Sequence, residues 1–283
     1  MGDAMPLPFH YPLAMVFLAT NSDVSIALYI IVMGAAMFIV GLGKAGFGGG
    51  IGIVVTPLMA MVISPSPRVL AVTLPAFLVG DLCSIACHKR EYDARLLRQL
   101  VPAGIVGVVL GAVVLRVMQL YFADQQSTLN SVLSLLIGSV SLVIITVQVW
   151  RFFAKKTPQM PAGLVATLVV GAFEAFLSTL TNSAGVLIAL LLIRKNLGKQ
   201  IYMTTVLTFF LVVNAGKFLA YWLVHDIITM DTLATVAPYL AIVPLGALAG
   251  VWLNRRMDAK VFTLILYALA AATALRMIVK VIE

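Results

Sequence analysis

Gly41-Leu42-Gly43-Lys44-Ala45-Gly46-Phe47-Gly48-Gly49-Gly50 lies between two apolar stretches, at a depth where a lipid-spanning helix should run unbroken. Six glycines in these ten residues are expected to break a regular helix, because each costs roughly 1 kcal/mol against alanine. Bare backbone at membrane depth survives only where protein or a water-filled cavity satisfies its amides. A break of this kind inside an apolar segment points to a solute-binding site between spans.

Composition sets the class. Hydrophobic residues make up 62% of the 283 and charged residues 11%, and the mean hydropathy is +1.08. A soluble domain would carry about a quarter charged residues. The expected fold class is therefore an all-α polytopic membrane protein. Residues 1–22 contain no Lys or Arg, so the basic n-region of a cleaved signal peptide is missing and the first apolar segment is expected to stay. The pI near 9.7 invites a nucleic-acid reading, but the basic residues sit in short loops between apolar runs, as the positive-inside rule predicts. The expected partner is the lipid bilayer, and no nucleic acid. Cys83 and Cys87, four apart on one expected helix, read as small buried side chains.

A span needs about 20 apolar residues. Segments fall near 24–43, 51–63, 68–88, 97–115, 130–149, 162–181, 184–193, 200–224, 233–253 and 260–280. Those at 51–63 and 184–193 are too short to cross alone, and each follows a full-length segment across a glycine-rich or small-polar tip. With ten segments, the loops at 89–98, 151–161, 194–199 and 254–260 share one side and hold 13 of the 19 Lys and Arg. The opposite side keeps Arg68, Arg116, Arg276 and Lys280. Those four loops are expected in the cytoplasm of a bacterial-type inner membrane, with both termini extracytoplasmic.

The chain is doubled. Gly107, Gly111 and Met118 recur at the same spacing as Gly246, Gly250 and Met257, and Phe77–Asp81 lines up loosely with Phe210–Asn214. Five segments per half is an odd number, so the halves must insert with opposite orientation. That gives two inverted five-segment repeats, the architecture of many secondary transporters. The expected divisions are an extracytoplasmic segment 1–23, a first repeat 24–150, a cytoplasmic linker 151–161 and a second repeat 162–283.

Two short broken or re-entrant helices, starting near Gly50 and Gly185, then enter from opposite sides and meet near the midplane. Each N-terminus presents unpaired N–H groups and about half a positive charge, and two aimed at one point favour a small anion. The candidate binding set is Gly43, Lys44, Gly46, Gly48, Gly49 and Gly50 from the first tip and Thr181, Asn182, Ser183 and Gly185 from the second. The competing reading is that the glycines only permit close helix packing.

These residues resemble a known family. The stretch from Gly43 to Pro57 is similar to the first signature of the sulfite exporter TauE/SafE family, also called the 4-toluene sulfonate uptake permeases. The stretch Ser178–Gly185 resembles a variant signature of the second half, with one glycine, and Val186 where proline often follows. The resemblance runs from about residue 30 to 280. It implies a transporter of sulfite, a sulfonate or a related organosulfur anion; the pattern does not demand Lys44.

Ionisable residues at membrane depth are functional candidates by default. Lys44, Asp81, Glu174 and Lys217 stand out, with Asn214 on the segment matched to that of Asp81. One reading makes Lys44 a direct ligand and Glu174 the carrier of a coupling proton. The other locks Glu174 permanently to Lys44 or Lys217, and pairs Asp81 with Lys217 structurally. His88 and His225 have no partners at metal-ligand spacing, so no metal and no cofactor is expected. Trp150, Trp222 and Trp252 read as interfacial anchors.

A secondary carrier is thus the expected function, rather than an enzyme: the chain lacks a Cys/His cluster, a paired His set and a nucleotide loop. An anion channel, or a non-catalytic membrane subunit of a larger complex, is the alternative, although no ring of pore-lining charge is evident. Small-residue faces would permit a homodimer.

Overall fold

The computed structural model describes residues 25–48, 50–63, 66–88, 91–154, 163–193, 195, 197–256, 268 and 270–279. Every regular element among them is a helix. In chain order these are α1 (Ile26–Phe47), α2 (Gly52–Ala60), α3 (Ser66–Cys87), α4 (Ala94–Tyr121), α5 (Gln126–Ala154), α6 (Leu164–Thr181), α7 (Val186–Ile193), α8 (Lys199–Leu223), α9 (Met230–Leu240), α10 (Ile242–Arg256) and α11 (Ala270–Val279). The segment 1–23 and much of the expected segment 260–280 lie outside the described residues, as does Gly49.

Helices α1, α3, α4, α5, α6 and α8 are long and apolar enough to cross a membrane. The pair α9 and α10 is a seventh such unit, bent by 43° at a short break that Pro238 and Pro244 bracket. By contrast α2 and α7 have 9 and 8 residues, too few to span about 30 Å of hydrocarbon at 1.5 Å per residue. The outside is apolar: Ile31, Val143, Val165 and Leu223 are exposed. Six charged or amide side chains, Lys44, Asp81, Glu174, Asn182, Asn214 and Lys217, are buried instead. A lipid solvent explains that inversion, since apolar surface costs nothing there and polar groups must turn inward.

Glycines set how close the helices lie. A Cβ on Gly246 would run into the carbonyl oxygen of Phe38, and one on Gly250 into that of Leu42, so α10 rides on the backbone of α1. A Cβ on Gly107 would run into the Ala172 oxygen, and one on Gly111 would come within 2.9 Å of the Phe176 oxygen, so α4 rides likewise on α6. The two pairs of glycines, each four apart, therefore do the same work at two places.

The glycine run itself departs from expectation. Helix α1 does not stop near residue 43 but continues through Lys44, Ala45 and Gly46 to Phe47. Packing overrides propensity there, because Gly41 and Gly46 are where the α10 backbone seats, against Val243 and Gly250. The break comes at Gly48, which takes the left-handed conformation (φ 79°) as C-cap and donates its N–H to the Lys44 oxygen. Gly50 is left-handed too (φ 76°). Part of the run thus serves helix packing, and the rest makes the turn.

Candidate functional site

The second tip has the same construction as the first. Asn182 caps α6 in the left-handed conformation (φ 54°), and its N–H bonds the Ser178 oxygen. In both tips the short helix begins four residues after the left-handed cap: Gly48 to Gly52, and Asn182 to Val186. The tips interlock. A Cβ on Gly52 would overlap the carbonyl oxygen of Asn182, one on Gly50 would lie 2.9 Å from Val186 Cγ2, and one on Gly185 would lie 3.3 Å from the Gly50 nitrogen. Only bare backbone fits this junction.

A cavity of about 30 Å³ sits beside the junction, lined by Lys44, Glu174, Asn182, Asn214, Phe77 and Phe210, with Gly50, Ile51, Gly52, Ser178 and Gly185 completing the wall. That is room for about one water, so admitting a larger solute requires the walls to move.

Lys44 stands on the last turn of α1 rather than inside the unwound tip, and its Nζ donates to Asp81 Oδ1 at 2.5 Å. The same Nζ lies 5.2 Å from the Phe77 ring centre and 5.5 Å from that of Phe210, within cation–π range of both. Asp81 Oδ2 accepts from Asn214 Nδ2 at 2.8 Å. The carboxylate therefore ties α1, α3 and α8 together from beneath the cavity.

Lys217 serves the other tip. Its Nζ donates to Asn182 Oδ1 at 2.7 Å and to Ser178 Oγ at 3.1 Å. Asn182 Nδ2 in turn donates to Thr73 Oγ1 at 2.9 Å and the Leu70 oxygen at 3.2 Å. The expected Asp81–Lys217 pair is therefore replaced by Asp81–Lys44, with Lys217 spent on the second tip. The sequence places these residues on their helices but says nothing of each helix's rotation, which decides the partners.

Glu174 is the exception. It is fully buried, and neither carboxyl oxygen has a hydrogen-bond partner among the described residues. Among the described residues no hydrogen bond or ion pair joins Glu174 to Lys44 or Lys217; Lys44 is bonded to Asp81, and Lys217 to Asn182 and Ser178. A buried carboxyl without protein partners, facing a cavity with room for a water, is satisfied by a proton, a water or a visiting cation.

Of the remaining sequence candidates, Gly43 and Gly46 pack against Ile51 and Gly250, and Gly48 against Met203. Thr181 and Ser183 turn into the second tip. Thr181 Oγ1 bonds the Leu177 oxygen at 2.9 Å and accepts from the Ser183 nitrogen at 3.2 Å, and Ser183 Oγ bonds the Thr181 oxygen at 3.0 Å. None of these five lines the cavity. Phe77 and Phe210, which flank Lys44, went unnoticed as site residues. The signal was present, since each lies four residues before the paired Asp81 and Asn214. Among the described residues no group of His, Cys, Asp and Glu could hold a metal ion.

A multi-pass helical membrane protein in which two helix breaks meet at a cavity lined by the buried Lys44, Glu174, Asn182 and Asn214 is built around an intramembrane polar site. Residues 33–277 match the family described as Sulfite exporter TauE/SafE. The chain belongs to that family of membrane transporters. No curated protein and no solved structure matches the chain.

Proposed function

We propose that the chain is a secondary carrier that moves a small anion by alternating access, with sulfite, a sulfonate or a related organosulfur anion as substrate and Glu174 as carrier of a coupling proton. One observation carries this reading: the two tips meet at a cavity lined by Lys44, with the unpaired Glu174 in its wall. Helix α2 starts at that cavity without a side-chain cap, so its first N–H groups and its dipole favour a negative guest. Asn182 and Asn214 add neutral groups to the wall.

Charge arithmetic supplies the coupling. Lys44, Lys217, Asp81 and Glu174 sum to zero when all four are ionised and to +1 when Glu174 holds a proton. An anion is drawn to the second state, so proton and anion favour each other's binding reciprocally. At about 30 Å³ the cavity is too tight for an oxyanion, and parting of the tips is the step that alternates access.

A matching spacing along the chain supports two inverted repeats. Backbone contacts and caps fall at Phe38, Leu42, Gly48 and Gly52 in the first half and at Ala172, Phe176, Asn182 and Val186 in the second, with spacings of 4, 6 and 4 in both. The halves are then 24–150 and 162–283, joined by 151–161. Lys44 and Ser178 take equivalent places, each two residues after that Leu42 or Phe176. The basic loops lie in the cytoplasm and both termini outside, by the charge asymmetry.

Proteoliposomes with an imposed pH gradient test the coupling. Wild-type protein accumulates radiolabelled sulfite with the gradient. Glu174→Gln keeps exchange at equal pH but loses gradient-driven accumulation. Accumulation unchanged in Glu174→Gln eliminates Glu174 as the proton carrier.

A further inference from the structure

The end of α1 has a second cavity on its other flank. Ala45, the residue after Lys44, lines a space of about 130 Å³ with Cys87, His88, Lys199, Met203 and Arg255. Lys44 and Ala45 thus border two different cavities. Met203, in the wall of the outer space, packs on the tip, its sulfur 2.7 Å from where a Cβ on Gly48 would be. Asn254 also lines the outer space; it accepts from Lys199 Nζ at 2.5 Å through Oδ1, while its Nδ2 donates to the Gly46 carbonyl.

The two spaces differ in charge and size. The outer wall carries the cations Lys199 and Arg255 and, among its described residues, no carboxylate. Arg256, next in the chain, is turned elsewhere, with its guanidinium 5.1 Å from the Trp252 ring centre. Room for a few waters suits a sulfite or a one-carbon sulfonate, and a concave site of one sign raises the local concentration of opposite ions.

We infer that this outer cavity is a vestibule that binds the same small sulfur oxyanion before it passes to the central site, an inference that rests on the carrier reading above. The recognising groups are the Lys199 ammonium and the Arg255 guanidinium, whose fork matches two oxyanion oxygens. Lys199 also links the vestibule to the tip. It holds Asn254, Asn254 holds the Gly46 oxygen, and Gly46 lies two residues before the break. An anion that draws Lys199 from Asn254 loosens the clamp on the last turn of α1.

The protein carries its own reporter, because Cys87 lines the vestibule and is exposed while Cys83 is half-buried. In a Cys83→Ser background, an anionic methanethiosulfonate is expected to modify Cys87 about tenfold faster than a cationic one. Methanesulfonate, replacing gluconate at constant ionic strength, is expected to slow that reaction severalfold. Arg255→Gln abolishes both effects and raises KM for sulfite in counterflow, with the maximal rate kept. Equal rates for the two reagents and no protection by methanesulfonate overturn the vestibule. Counterflow from the same proteoliposomes separates the two readings. Transport without protection removes the vestibule alone, whereas protection without transport leaves an anion site and overturns both the carrier and the vestibule role.

Discussion

Lys44 is a basic side chain on an apolar helix, and what makes it tolerable is its bond to Asp81. A buried pair of this kind is costly to break, at about 3–5 kcal/mol, because the surviving charge is left uncompensated. Asp81→Asn is therefore expected to lower the unfolding temperature sharply. The double variant Lys44→Met with Asp81→Asn is expected to regain most of that stability yet transport nothing. Thermal unfolding of the purified variants reads the first part and counterflow the second; losses that simply add would contradict the pairing. At this scale the sequence was half legible. The four intramembrane charges stand out against an apolar background, because polarity at depth is rare. Their partners do not: Asp81 looks toward Lys217 by segment matching, but its oxygens meet Lys44 and Asn214.

At the scale of elements, two short helices exist because two tips refuse side chains. Gly52→Ala puts a methyl into the Asn182 carbonyl, with backbone on both sides of the clash. Gly216→Ala is the control, since its Cβ would meet Val108 at 3.6 Å, an ordinary contact, in the middle of α8. Gly52→Ala is expected to lose at least about tenfold in transport rate, a loss of about 1.4 kcal/mol or more in the active arrangement. Gly216→Ala is expected to gain about 0.5–1 kcal/mol from helix propensity and keep its transport. Rates and unfolding temperatures of the two side by side check the contrast, and equal tolerance would show the junction to be loose. The break was legible as a glycine excess, but its position was not. Gly41 and Gly46 stay helical because α10 seats on them, and a long-range contact of that kind leaves no trace in local propensity.

At the scale of the whole molecule, the ends of α4 and α8 are joined through His225, whose Nδ1 donates to Gln119 Oε1 at 2.7 Å. Burial first, and the positive charge of Arg116 second, push this imidazole from 6.5 down to about 4, against the opposing pull of Asp226. The folded protein refuses a proton that the unfolded chain accepts between those values. Stability is accordingly full above pH 6.5 and falls as pH drops toward 4. Unfolding temperatures in detergent at neutral and at mildly acid pH are expected to show this loss, and His225→Gln to flatten it; an unchanged slope in the variant would assign the acid sensitivity elsewhere.

The close helix contacts were legible as glycines four apart, because close backbone approach admits nothing larger. What escaped was which helices they join: α10 packs on α1, and α4 on α6. Pairing of helices far apart in the chain is a property of the assembled bundle.

The central claim is that two converging helix breaks bind a small anion beside Lys44 and carry it across. Counterflow of radiolabelled sulfite in proteoliposomes tests it most directly. The account predicts saturable exchange in the wild type that competing sulfonates inhibit and Lys44→Met abolishes. Exchange that persists at the wild-type rate in Lys44→Met, or flux that rises linearly with sulfite without saturating, would contradict it.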